Sequence, residues 1–298
     1  MYADDIVFLS SSSVGLQEKI DMLEKFCQEW CLTVNLTKTK ILIFNKAGRH
    51  LKHNFTYNGK TVECVAKCKY LGIIFCSSGS FSQVQNQLYQ GLKAYFILYK
   101  DFISNGPSPK VSLHIFDHTI LPTLLYGCEI WGYFNPLSNR LKQQNNLSMD
   151  NIYNRLQSEV LHVKLCKYVL GCGKKSSNFA ALSELGRLPT HFNIVKAMIK
   201  FWHRLQNMDN QFPILKDTFK TSIELHIDKL PSWYGSMNVI DKLIFDITSL
   251  STNSFKRTCN VLTKDHYINL WQNQKILMSE GKLCTYLKVK HNFGLKIT

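Results

Sequence analysis

Tyr2-Ala3-Asp4-Asp5 opens the 298-residue chain, and the carboxylates of Asp4 and Asp5 form the pair whose type and spacing point most directly to chemistry. Adjacent side chains on a regular strand point to opposite faces, so joint use of the two requires a hairpin tip where both converge. At such a tip they repel by about 4 kcal/mol at ~4 Å and an effective dielectric near ~20, which a bound divalent cation offsets. An oxygen pair of this kind suits Mg²⁺, which takes one or two carboxylates and fills its octahedron with water and substrate phosphate oxygens. The chemistry implied is metal-assisted phosphoryl transfer. The competing reading is a plain acidic turn before an apolar strand, Ile6-Val7-Phe8-Leu9.

Several elements follow that could position such a pair. Ser10 to Ser13 form a polar break able to cap a helix over residues 14–30, whose Leu16, Ile20, Leu23, Phe26 and Trp30 recur at helical steps and define one buried face. Cys31-Leu32-Thr33-Val34-Asn35-Leu36-Thr37-Lys38-Thr39-Lys40 then leads into an apolar strand over residues 41–44. Asn58-Gly59 between residues 55–57 and 60–62 reads as a tight hairpin. Lys69-Tyr70-Leu71-Gly72-Ile73-Ile74-Phe75 follows, and Ser77-Ser78-Gly79-Ser80 closes the strand-rich part.

Beyond residue 80 the pattern turns helical. Val84, Leu88, Leu92, Tyr95 and Phe96 share a helix face that Gly106-Pro107-Ser108-Pro109 ends. Further helices are predicted over residues 110–121, 149–170, 190–208 and 264–278, with a polar connection at 136–146.

This order of motifs resembles the second half of the palm of reverse transcriptases from non-LTR retrotransposons, the long-interspersed-element class. The segment Ile120-Leu121-Pro122-Thr123-Leu124-Leu125-Tyr126-Gly127-Cys128-Glu129-Ile130-Trp131-Gly132 is similar to one that such proteins carry in the helical region after the palm. The resemblance spans about residues 2–132 and thins beyond. It implies that Asp4 and Asp5 are catalytic Mg²⁺ ligands, with Tyr2 beside them at the nucleic acid. It implies a role for Lys38 near the triphosphate, with Lys40 contacting nucleic acid, and for Tyr70, Leu71 and Gly72 on the hairpin that grips the primer strand. RNA template and DNA primer are the implied partners, within a retroelement ribonucleoprotein.

The fold class expected is α+β: a partial palm of strand, helix and hairpin strands over 1–78, a thumb-like helical region over 79–145, and a helical C-terminal region of unassigned role over 146–298. The family draws a further essential aspartate from a strand upstream of this tetrapeptide, and only Met1 precedes Tyr2. The expectation is therefore part of an RNA-directed DNA polymerase that lacks the fingers and one metal ligand and is inactive alone. The alternatives are a basic RNA- or DNA-binding module and a decayed retroelement protein without activity.

Composition narrows the class. Hydrophobic residues make up 45% and aromatics 12%, enough for a buried core and against disorder. No signal peptide or membrane-length apolar run is visible, and ten cysteines without a secretory signal suggest reduced thiols in the cytoplasm or nucleus. The net charge of +15 is evenly spread: 12 basic against 7 acidic residues in 1–100, 11 against 6 in 101–200, and 13 against 8 in 201–298. An even positive field suits long contact with a phosphate backbone, though a generally basic soluble protein would show it too.

Other clusters admit bland explanations. His50, His53, Cys64 and Cys68 invite a zinc site, but the Asn58-Gly59 hairpin accounts for that segment without metal. Lys164, Lys167, Lys174 and Lys175 bracket a helix end near Gly171 and Gly173, where cations complement the helix dipole or could equally contact phosphates. Trp131, Trp202, Trp233 and Trp271 read as core residues.

Overall fold

The computed structural model describes residues 5–45, 49, 51, 53–79, 93, 108–132, 156–208, 212–230, 232–235, 237–238, 264–265, 268–269 and 272–273. The chain divides into two compact units, Met1–Gln83 and Val84–Thr298. Small sheets in the first and helices among the described residues of the second make the mixture an α+β one.

In the first unit, helix α1 (Ser13–Glu29) begins where Ser12 accepts the Gly15 N–H at 3.1 Å, as the polar break predicts. It ends in a Schellman motif: the Leu32 N–H returns to the Cys27 carbonyl at 2.8 Å, and Cys31 takes the left-handed position at φ +53°. Three two-stranded sheets follow. β1 (Ile41–Leu42) pairs parallel with β4 (Cys64–Val65). β2 (Phe55–Tyr57) and β3 (Lys60–Val62) form the predicted hairpin, with Asn58 at φ +48° and Gly59 at φ +70° supplying the turn that matches strand twist. β5 (Lys67–Tyr70) and β6 (Ile73–Cys76) form a second hairpin.

Ile20, Ile41, Phe55 and Val62 make this unit's core, flanked by Leu16, Leu36 and Ile43. Two polar side chains of α1 fasten the β2–β3 hairpin. Gln17 donates to the Thr56 carbonyl at 2.8 Å and accepts the Thr56 N–H at 3.0 Å, and Glu24 accepts the Asn58 N–H at 2.7 Å. The expected buried face of α1 is narrower than its periodicity suggested. Ile20 and Cys27 are buried, whereas Phe26 and Trp30 are exposed, because the hairpin covers only one side of the helix. The expected opening strand, residues 6–9, is not a strand: it has no sheet neighbour among the described residues, and all four side chains are exposed. The strand predicted over 41–44 shortens to the two residues that β4 can pair.

In the second unit, α2 (Pro109–Ile115) runs into a π-helical segment (Phe116–Ile120) and then α3 (Leu121–Leu124) and α4 (Cys128–Trp131). Pro122 accounts for the wide turn: it lacks an N–H for the His118 carbonyl, and the Leu121 N–H reaches back five residues to Phe116 instead. Ile120, Leu124, Cys128 and Trp131 follow one another at three- and four-residue steps and are all buried. Gly132 is the point of closest approach to α7 (Thr190–Gln206), since a Cβ there would stand 2.1 Å from the Ile194 Cγ2.

α5 (Gln157–Val169), α6 (Asn178–Glu184) and α8 (Pro213–Ile227) follow in the same unit. α5 packs on α6 through Val163, Cys166, Ala181 and Leu182. The predicted helices at 149–170 and 190–208 are present in their described parts, while α6 and α8 escaped the sequence reading. Residues 108–132 and the helices after 156 lie in the same compact unit. The helix face at residues 84–96 and the connection at 136–146 lie outside the described residues, apart from helical Lys93. Of the predicted helix at 264–278, six positions are described and are helical. Trp131 and Trp202 are buried as expected, Trp233 sets its ring edge against Phe201, and Trp271 lies outside the described residues.

Candidate polymerase site and the cluster beneath the second unit

Of the opening tetrapeptide, Tyr2 and Asp4 lie outside the described residues. Asp5 is exposed, and its carboxylate has no hydrogen-bond or ion-pair partner among the described residues. It is thus available as an oxygen ligand of the kind Mg²⁺ accepts. The Lys19 ammonium donates to the Leu9 carbonyl and ties the following segment to α1.

The Asn35 to Lys40 element is shaped by Asn35. Its side-chain oxygen accepts from the Thr37 N–H at 3.1 Å, the Thr37 hydroxyl at 2.6 Å and the Lys38 N–H at 3.2 Å. Its carbonyl accepts from the Thr39 N–H and hydroxyl, each at 2.9 Å. This is the local side-chain competition that makes Asn a turn residue, and it leaves the Lys38 side chain exposed at the strand entrance. Lys40 instead forms an ion pair with Glu63, next to the point where the Ile41 N–H donates to the Glu63 carbonyl. Burial raises the Cys68 thiol pKa, and the nearby Lys40 charge opposes that rise. The structure therefore brings Lys40 beside β5, the strand that leads to Tyr70.

At the β5–β6 tip, Tyr70 pairs with Ile73, leaving Leu71 and Gly72 as a two-residue turn with φ +47° and +81°. Gly72 adopts this readily; Leu71 does so at a conformational cost of roughly 1–2 kcal/mol. A strained residue at an exposed hairpin tip is a recurrent mark of a functional contact. No hydrogen bond or ion pair joins Asp5 to Lys38, Lys40 or the tip among the described residues. His50 lies outside them, the Cys64 thiol points to the His53 carbonyl at 3.3 Å, and no metal-binding group of His, Cys, Asp or Glu is present among the described residues.

The second unit holds a polar cluster that the sequence reading did not anticipate. Arg187 is the third residue after α6, where its N–H caps the Leu182 carbonyl at 2.9 Å and Gly186 takes φ +63°. That cap delivers the guanidinium to Asp117 of the π segment as a two-pronged ion pair, with Nη1 at 2.6 Å from Oδ2. Arg187 Nε–H also donates to His162 Nε2 at 3.1 Å, and Phe116 stacks on the His162 ring. Burial disfavours charge on His162, but its contacts with Cys166 and Glu159 prevail and push its pKa up to about 9. The Arg187 Nε–H works against that rise, because it needs an imidazole lone pair that a protonated ring lacks.

Glu159, on α5, faces the other His162 nitrogen at 3.7 Å. It accepts the Thr190 N–H at 2.5 Å and the Thr190 hydroxyl at 2.6 Å. Burial resists its ionisation, but the contacts with His162 and Thr190 prevail and hold the carboxyl below the usual carboxylate range. Glu159 thereby caps α7, whose own N-cap residue, Pro189, offers no side-chain acceptor. The cluster ties the π segment, α5, the end of α6 and the start of α7 together, while Glu159 Oε1 and His162 Nδ1 face each other without a hydrogen bond.

Residues 1–75 match the family described as reverse transcriptase (RNA-dependent DNA polymerase). Similar proteins include an uncharacterized transposon-derived protein of Caenorhabditis elegans, 27% identical over 47% of this chain and 51% of its own length. A Drosophila melanogaster protein named "Probable RNA-directed DNA polymerase from transposon BS" is 28% identical over 50% of this chain and 17% of its own length. The RNA-directed DNA polymerase from mobile element jockey of the same fly is 27% identical over 44% of this chain and 15% of its own length. No solved structure matches at a significant level. Residues 1–75 are thus similar to reverse transcriptases, and about half of the chain is similar to proteins named RNA-directed DNA polymerases of mobile elements. It spans about half the length of the worm protein and less than a fifth of each fly polymerase.

Proposed function

We propose that the chain supplies the distal palm and the following helical region of a non-LTR reverse transcriptase, and that it works together with further polymerase parts of the kind its much longer relatives carry. The observation that carries this reading is the family match over residues 1–75, which contains the Asp4-Asp5 pair, the Asn35-ordered lysine element and the strained Leu71-Gly72 tip. In this reading Asp4 and Asp5 hold Mg²⁺, with Tyr2 beside them. The metal ions would neutralise charge on the transferred phosphoryl group and clamp its attacking and leaving oxygens.

Lys38, exposed and mobile on its four-carbon stem, serves the triphosphate by neutralising charge on the departing pyrophosphate. Tyr70, Leu71 and Gly72 bring an exposed backbone turn to the primer sugar-phosphate, and Lys40 supports that hairpin while paired to Glu63. RNA template and DNA primer are the proposed partners, within a retroelement ribonucleoprotein. No described helix is long and apolar enough to cross a membrane.

Mixing tests the proposal. A separately expressed polypeptide carrying the upstream palm and fingers of a related element is added to this chain with Mg²⁺, deoxynucleotides and an RNA template annealed to a DNA primer. The expected result is primer extension with the wild-type chain and its loss with Asp5→Asn, a change that removes charge while keeping shape. Extension that survives Asp5→Asn would overturn the assignment. A second reading, a basic nucleic-acid-binding module, is favoured by the cationic surface of the second unit.

A further inference from the structure

The described residues 156–208 show a lopsided surface. Their exposed charged residues are Lys164, Lys174, Lys175, Lys200 and Arg204, and every one is cationic. The stretch contains two acids: Glu159 is buried as the cap of α7, and Glu184 is partly covered. Between these two glutamates the sequence carries four lysines and no acid. α8, by contrast, alternates Lys216, Asp217, Lys220 and Glu224 and has the balanced face of an ordinary solvated helix.

The cations are densest where α5 ends. Gly171 takes φ +66°, the Cys172 N–H returns to the Lys167 carbonyl at 2.8 Å, and the chain turns again as the Ser176 N–H reaches the Gly173 carbonyl at 3.0 Å. Lys167 reaches over to donate to the Lys174 carbonyl at 3.0 Å, so one lysine is used to hold the loop that displays two others. Residues 171–175 are all exposed, and a Cβ at Gly171 or Gly173 would meet nothing within 4 Å. The ammonium groups of Lys174 and Lys175 have no hydrogen-bond or ion-pair partner among the described residues.

We infer that the loop at residues 171–175, with Lys174 and Lys175 and the adjoining Lys164, is a contact surface for the phosphate backbone of a nucleic acid, separate from the palm-derived motifs. Bare glycine backbone beside the lysines allows close approach of a sugar-phosphate chain, and point-charge ammonium groups suit sequence-independent phosphate contact. A lipid surface fits less well, because glycines and serines flank the lysines where membrane binding would call for large apolar side chains to insert. The choice of nucleic acid as the polyanion rests on the reverse-transcriptase reading; the surface itself rests on the charge distribution.

The test measures binding of the full chain to a short labelled single-stranded RNA by fluorescence anisotropy over a salt series from about 50 to 200 mM. The double variant Lys174→Gln with Lys175→Gln is expected to bind roughly tenfold more weakly at low salt, with the log–log salt slope reduced by about 1.4, from two contacts at about 0.7 each. Lys216→Gln with Lys220→Gln on the balanced helix is expected to leave the slope unchanged, and circular dichroism to show both variants folded. An unchanged slope in the loop variant, or an equal loss in the α8 variant, would overturn the proposal. So would tight binding to phosphatidylserine vesicles with none to RNA. RNA binding is read without nucleotides or a complementing polypeptide and the polymerase reading by primer extension, so failure of the loop and failure of that reading give different results.

Discussion

Phe26, Trp30 and Phe44 in the first unit are 46%, 67% and 56% exposed, whereas Phe116, Trp131 and Ile194 in the second are exposed by no more than 2%. Residues 6–9 add four more exposed apolar side chains to the first unit, beside a core cluster of four buried residues from α1 and two small two-stranded sheets. In the second unit α4, α5, α6 and α7 bury apolar residues, while Ile214 and Ile227 of α8 stay exposed. The difference teaches that the region richest in recognisable motifs is the one whose apolar faces are least matched by neighbours, and an exposed apolar surface of that kind marks a place of association. The second unit holds the more fully buried core, around α4 and α7.

Substitutions at the tightest and loosest points of the two units should break or sharpen this contrast. Gly132→Ala should have the largest effect, because its Cβ would meet the Ile194 side chain at 2.1 Å and the Cys128 carbonyl at 2.5 Å. Overpacking of this kind costs about 3 kcal/mol or more. Trp30→Ser, at an exposed position of the first unit, should change stability by less than about 0.5 kcal/mol. Urea unfolding of the two variants compares them directly, and equal losses would contradict the division into a matched and an unmatched unit.

Glu159→Gln comes next, at about 1–3 kcal/mol, since it weakens a buried charge-assisted cap. The folded carboxyl lies below its ordinary range, so its stabilising contribution is present above the ordinary carboxylate pKa near ~4.3 and is lost as pH falls through the lower folded value. Wild type should therefore lose stability relative to Glu159→Gln on acidification, with the gap between them narrowing. A gap that stays constant down to strongly acid pH would mean that Glu159 is not an ionised cap.

Thiol labelling reads the contrast most gently. Burial, reinforced by the neighbouring Glu129 charge, pushes Cys128 up to about 12, and Cys166 is fully buried, so neither should react with an alkylating reagent at mildly alkaline pH in the folded protein. Cys31 and Cys172 are exposed and should react promptly. Mass spectrometry of the labelled peptides gives the order, and early modification of Cys128 would contradict the packed core around α4.

What the sequence disclosed depended on whether the signal was local. The Ser12 cap of α1, the Asn58-Gly59 turn and the helices around residues 160 and 200 follow from neighbouring residues and were legible. The narrow buried face of α1 was not, because it depends on how much of the helix a distant hairpin covers. Pro122 looked like a simple interruption, yet the chain absorbs it with a π turn. The Asp117–Arg187 pair joins residues 70 positions apart, and nothing local announces it except Gly186, whose left-handed turn fixes where Arg187 points. At the candidate site, the Lys40 to Glu63 pairing was hidden for the same reason, while the Leu71-Gly72 turn followed from the motif.

The claim that this chain holds part of a polymerase centre is tested most directly by mixing it with a polypeptide that carries the upstream palm and fingers of a related element, with Mg²⁺, deoxynucleotides and a primed RNA template. The account predicts primer extension that Asp5→Asn abolishes. No extension with the wild-type chain, or extension that survives Asp5→Asn, would contradict it.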